Sequence, residues 1–157
     1  MPPLEAKKIL FSIGTTEGVG YKKGLRNCGK KLELIDVRRA YFHSEARRTL
    51  HIQFSDEDGE EGMCGLILNA MYGTRDAAQN WEREYESTFK SLGFTQGSSS
   101  PCVFYHADRD IRIVVHGDGF TSVADEVRLA WPAIELRKAY ELKLRATLGP
   151  DSYDDKS

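Results

Sequence analysis

Val114-Val-His-Gly-Asp-Gly-Phe-Thr-Ser-Val123 is the stretch on which the fold turns. Two apolar runs meet at a Gly-Asp-Gly interruption, which reads as a tight hairpin with Asp118-Gly119 at its tip. Upstream, Leu32-Glu-Leu-Ile-Asp-Val37 is a short strand with Asp36 near its end. A sheet that sets these strands side by side brings the carboxylates of Asp36 and Asp118 to one sheet end.

Working outward, Thr49-Leu-His-Ile-Gln-Phe54 alternates apolar and polar residues, the mark of a half-buried strand. The acidic turn Ser55–Gly62 follows, and Met63–Leu68 reads as the returning strand. Ala77, Ala78, Trp81, Tyr85, Phe89 and Leu92 recur at helical spacing, so the pattern predicts a helix from about Thr74 to Leu92 with Gly93 as its C-terminal cap. Cys102–His106 and Ile111–Val115 read as strands. A helix after Asp125 is interrupted near Pro132, and Glu141–Arg145 reads as a last strand. Leu4, Ile9, Leu10 and Ile13 suggest an opening helix ending at Gly14. Elements in this order predict an α+β fold, an antiparallel sheet with helices on one face. The expected division is an N-terminal helix and basic loop over 1–31, a main domain over 32–149, and a disordered acidic tail over 150–157.

Composition narrows the classes. The 157 residues are 40% apolar and 29% charged, enough for a core and too polar for a membrane protein. The N-terminus has no apolar run after its charges, so the expected location is the cytoplasm or nucleus, with no membrane partner. Three widely spaced cysteines (Cys28, Cys64 and Cys102) argue against a disulfide framework. Net charge is -2, yet residues 1–50 carry eleven Lys and Arg against five Asp and Glu, while residues 51–100 carry three against nine. A near-neutral total therefore hides a basic first third, which suits phosphate contact or an ordinary solvated face.

Asp36 and Asp118 have two readings. Together they suit Mg²⁺, a hard ion that takes carboxylate and phosphate oxygens. Separately, a strand-end Asp caps backbone and an Asp-Gly pair makes a hairpin turn. Arg38, Arg39, Arg47 and Arg48 either grip phosphates or form a solvated face. Thr15–Gly24 lacks the glycine spacing and preceding strand of a phosphate loop. The histidines do not fall at zinc-ligand spacing with the cysteines. The Trp81-Tyr85-Phe89 stripe reads as core.

Asp36-Val-Arg-Arg-Ala-Tyr-Phe42 resembles the first catalytic motif of reverse transcriptases. Met71-Tyr-Gly-Thr-Arg-Asp-Ala-Ala-Gln-Asn-Trp81 resembles the Leu-Tyr-Gly-Leu-Lys-Gln-Ala-Pro-x-x-Trp signature of copia-type retrotransposon polymerases. Leu92-Gly-Phe94 and Ser100-Pro-Cys-Val-Phe-Tyr105 are similar to that family's next stretch, and Val114–Phe120 falls where it has a Tyr-Val-Asp-Asp hairpin. These motifs stand in the family's order over residues 32–123. The resemblance implies a ferredoxin-like polymerase palm from the Pol polyprotein of a long-terminal-repeat retroelement. It implies RNA-directed DNA polymerase chemistry with two Mg²⁺ ions, an RNA or DNA template–primer, a dNTP and the other parts of the polyprotein as partners. Asp36 and Asp118 match metal-holding positions, Tyr41 the aromatic beneath the incoming sugar, and Gly73, Arg75 and Asp76 the turn against which the nucleotide rests.

Three departures accompany the resemblance. Gly119 replaces the hairpin's second Asp, His116 and Gly117 replace the Tyr-Val before it, and Asp76 stands where the family has Gln. Losing one preorganised charged group predicts a rate loss on the order of 10²-fold or more. The chain also reads as a fragment, with little room for fingers and thumb. The expectation is an impaired or inactive copy; the alternative is a non-catalytic nucleic-acid-binding remnant of the same fold. Tyr153-Asp-Asp155 resembles a catalytic box but has no hairpin around it.

Overall fold

The computed structural model describes residues 4–23, 29–55, 57–59, 62–151 and 154. Cys28, Asp56, Tyr153 and Asp155 lie outside them. The elements are α1 (Leu4–Thr15), β1 (Lys30–Val37), a 3-10 turn (Ala40–His43), β2 (His51–Gln53), β3 (Cys64–Leu66), α2 (Ala77–Ser91), β4 (Thr95–Gln96), β5 (Val103–His106), β6 (Ile111–His116), β7 (Gly119–Asp125), α3 (Glu126–Leu136) and β8 (Leu142–Leu148). This is the expected α+β class. The chain forms two compact units, one of residues 1–38 with 87–157 and the other of residues 39–86. No helix among the described residues is long and apolar enough to cross a membrane.

The first unit is a six-stranded antiparallel sheet in the order β4-β5-β6-β7-β1-β8. Strand alternation sorts its side chains onto two faces. On one, Leu32, Val114 and Val123 bury Leu10 of α1, with Ala6 and Ile13 beside it. Gly14 permits that approach, since a Cβ there would stand 2.7 Å from a Leu32 methyl. On the other face Phe89 stacks on Phe104 (ring centroids 4.7 Å apart) and meets Phe120 edge-on at 5.3 Å. Trp131 of α3 stacks on Phe94 and meets His106 over the same face. So α3 and the end of α2 share one face, and α1 covers part of the other.

Several local expectations are corrected. The hairpin tip is Gly117-Asp118 rather than Asp118-Gly119, because His116 pairs with Gly119. Gly117 has φ 63° at the first central position, as a type II′ turn requires. α3 continues through Pro132, held by buried Leu129, Ala133 and Leu136 on either side of the missing backbone donor. The end of the chain is not a free tail at Asp151 and Asp154. Both carboxylates reach the Lys31 ammonium, at 3.0 and 2.8 Å, and Glu126 reaches it at 2.9 Å. Lys31 is 2% exposed, so a buried cation draws them in. Gly149 leaves the space that Asp154 occupies.

In the second unit β2 and β3 make a two-stranded ladder in which Ile52 and Leu66 are exposed. The alternation at 49–54 therefore marks a strand, His51–Gln53, but not a half-buried one: a ladder two strands wide leaves its apolar side chains at the surface. α2 begins at Ala77, three residues later than its periodicity suggests, because the Asp76 carbonyl accepts the first helical bond, from Asn80 N–H at 2.9 Å. It ends at Ser91 and is capped at Gly93 (φ 88°), where the Phe94 N–H returns to the Phe89 carbonyl at 3.0 Å.

Candidate active site

The first unit brings Asp36 and Asp118 together at one end of the sheet. Asp36 lies opposite Gly119 in the β1–β7 ladder, and the Val37 N–H donates to the Asp118 carbonyl at 2.8 Å. Ladder spacing then puts the two aspartate Cα atoms roughly 6 Å apart. Asp118 is exposed in the turn and Asp36 half-buried at the strand end. Gly119 has an ordinary strand conformation, and a Cβ on it would meet only the His116 and Ile35 carbonyls, at 3.5 and 3.9 Å. Neither the turn nor the packing requires glycine at 119.

The ion pair of Asp36 was not legible in the sequence. Arg145 donates from its guanidinium to the Asp36 carboxylate at 2.6 Å. It gets there through a β-bulge: Leu34 faces Ala146 while Ile35 faces Leu144, so Arg145 is the extra residue of β8. Such an insertion bends the strand and re-aims a side chain. Lys143 stands directly opposite Asp36, and Arg38 pairs with Glu141 just before β8. The basic, alternating Lys143 and Arg145 were the only sequence signal of this arrangement.

The second unit gathers other expected site residues. Tyr41 lies in the 3-10 turn with its ring centroid 4.4 Å from that of Tyr72, and Phe42 stands 5.9 Å from the same ring. Gly73, next to Tyr72, has φ 89°, a conformation that favours glycine. Arg75 is exposed. Asp76 accepts from Asn80 at 3.2 Å and pairs with Arg48 at 3.3 Å. Desolvation pushes its carboxyl upward, but bonds from its own backbone and Asn80, with the Arg48 guanidinium, hold it below the usual carboxylate range. A carboxylate at a helix N-terminus also suits the helix dipole. Local structure thus explains Asp at 76, and it commits Arg48 to that partner.

Arg39 is exposed, with φ 54°, an uncommon conformation for a residue other than glycine. Arg47 is exposed and lines a recess of about 210 Å³ with Arg48, Leu66 and Leu68. That is smaller than the roughly 300–1,000 Å³ of typical small-molecule pockets. Among the described residues no group of three or more His, Cys, Asp or Glu side chains is placed to hold a metal ion.

The fold and site define an antiparallel α+β sheet with an acidic pair where a strand end meets a hairpin. No family model matches the chain. It is similar to the retrovirus-related Pol polyprotein from transposon TNT 1-94 of Nicotiana tabacum, at 23% identity over 127 residues. The match takes in 76% of this chain and 9% of that protein's length. The similarity supports an origin in a retrotransposon Pol polyprotein.

Proposed function

We propose that the chain is a reverse-transcriptase palm-like domain of a copia-type retrotransposon, of RNA-directed DNA polymerase ancestry and impaired in chemistry. The observation that carries the reading is the juxtaposition of the Asp36 strand end with the Asp118 hairpin turn. The similarity to a retrotransposon Pol polyprotein supports it independently. A template–primer and a dNTP are the proposed ligands, and the remaining parts of a Pol polyprotein the proposed partners. Tyr41 beside Tyr72, with Gly73 and Arg75, is the proposed nucleotide-side surface.

The residues present do not fit the two Mg²⁺ ions of such a polymerase. Two dications in a shared site lie about 4 Å apart and need several carboxylate oxygens between them. Here Asp36 is engaged by Arg145, Asp118 is single, and Gly119 offers no side-chain ligand. That mismatch favours a second reading, a non-catalytic nucleic-acid-binding remnant of the same fold, in which the exposed Arg39, Arg47 and Arg75 meet phosphates.

Primer–template binding across a salt series, with primer extension in Mn²⁺ by the natural chain and by Gly119→Asp, tests both readings. The expected result is salt-dependent binding by each protein and extension by the substituted one only. Binding without any extension leaves the remnant reading standing alone. Absence of binding at low salt overturns both.

A further inference from the structure

We propose that Arg145 is a built-in counter-ion that closes the Asp36 carboxylate to divalent metal. The inference rests on the reading of Asp36 and Asp118 as a former metal site and adds what now occupies it. Three observations carry it. The guanidinium contacts an Asp36 oxygen at 2.6 Å, a close charge-assisted contact. Arg145 reaches that oxygen because β8 carries one extra residue at this point of the ladder, so the approach is built into the backbone. Lys143 lies directly opposite Asp36 on the same strand, which adds a second positive charge to the edge that a cation would approach.

The consequence is competition for one carboxylate. A dication bound to Asp36 must displace the guanidinium or sit beside it, and beside it a single positive charge repels a double one. At about 5 Å in a water-like dielectric the repulsion lowers affinity roughly fifteenfold at low salt, and about fivefold once physiological salt screens it. Arg145 is 53% exposed on its side chain, so the pair holds the site closed by charge rather than by burial, and removing it leaves the core untouched.

The test is direct binding of Mn²⁺ alone, followed by the loss of the free-ion electron paramagnetic resonance signal. The natural chain is compared with Arg145→Gln, Arg145→Lys and the double variant Arg145→Gln/Asp36→Asn, each checked for native circular dichroism. The expected result is Mn²⁺ binding about fifteenfold tighter in Arg145→Gln at low salt, little change in Arg145→Lys, and loss of the gain in the double variant. Equal affinity in the natural chain and Arg145→Gln overturns the proposal, as does a gain that survives Asp36→Asn. Primer–template binding on the same proteins separates this inference from the polymerase reading. Template binding with no Mn²⁺ gain sinks the counter-ion alone, and an Mn²⁺ gain with no template binding sinks the polymerase reading alone.

Discussion

Gly119→Asp is the substitution whose outcome the geometry fixes most closely. Gly119 sits in β7 with ordinary strand dihedrals, directly opposite Asp36, and a Cβ there makes only van der Waals contact with two carbonyls. Replacing a strand glycine recovers about 0.5–1 kcal/mol of backbone entropy. A like charge directly across an antiparallel pair costs a similar 0.2–1 kcal/mol. Without metal, then, the variant unfolds within about 1 kcal/mol of the natural chain. Added Mg²⁺ separates the two. Asp36 and Asp118 are balanced by Lys143 and Arg145 at the sheet end, and the substitution adds one net negative charge. An extra carboxylate about 5 Å from a dication contributes roughly 1.7 kcal/mol at low salt and about half that at physiological salt. A tenfold excess of Mg²⁺ over its dissociation constant stabilises the variant by about 1.4 kcal/mol, which raises the melting temperature by about 3–6 °C for a domain of this size. Scanning calorimetry across a Mg²⁺ series reads this shift. Equal Mg²⁺ shifts in both proteins refute the reasoning about charge. A loss above about 3 kcal/mol without metal refutes the claim that position 119 has room.

Other sites give further outcomes. Glu33 is 8% exposed, one of its carboxylate oxygens has no hydrogen-bond partner among the described residues, and desolvation raises its pKa against a smaller opposing pull from Arg137. A raised folded-state pKa means that its favourable contribution is full below the unfolded value near 4.5 and is lost as pH rises through the folded value. Glu33→Gln therefore stabilises the protein at neutral pH by about 1 kcal/mol, and its advantage shrinks on acidification, which urea unfolding at the two pH values checks. Lys31→Met leaves Asp151 and Asp154 without their cation and costs about 2 kcal/mol, with faster proteolytic clipping after β8; unchanged stability and clipping would show that the lysine does not hold the chain end. Phe89→Ala removes a fully buried ring from between Phe104 and Phe120 and costs about 3–5 kcal/mol by denaturant titration.

What the sequence disclosed and what it hid follow from the range of the forces involved. The helical stripe Trp81-Tyr85-Phe89 and the strands around Asp36 and Asp118 were legible, because period and turn chemistry are local. The true tip of the hairpin was hidden, since Gly117 and Gly119 both flank Asp118 and only the register across the pair decides which glycine turns. The same register shows that Gly119 is free of conformational duty, so neither the turn nor the packing accounts for a glycine there. Arg145 lies 109 residues from Asp36 in sequence, and no periodicity announces a bulge that aims one at the other. Lys31 with Asp151 and Asp154 is a similar long-range charge cluster, and it ties those two acidic residues to β1. Local rules thus located the carboxylates, while the ion-pair partner of Asp36 arrives only through the sheet. On the proposed reading, a glycine at 119 and an arginine at 145 act in the same direction at the same sheet end. Changing only one therefore gives part of the expected gain in metal affinity, and the double variant Gly119→Asp/Arg145→Gln is the form in which both effects add.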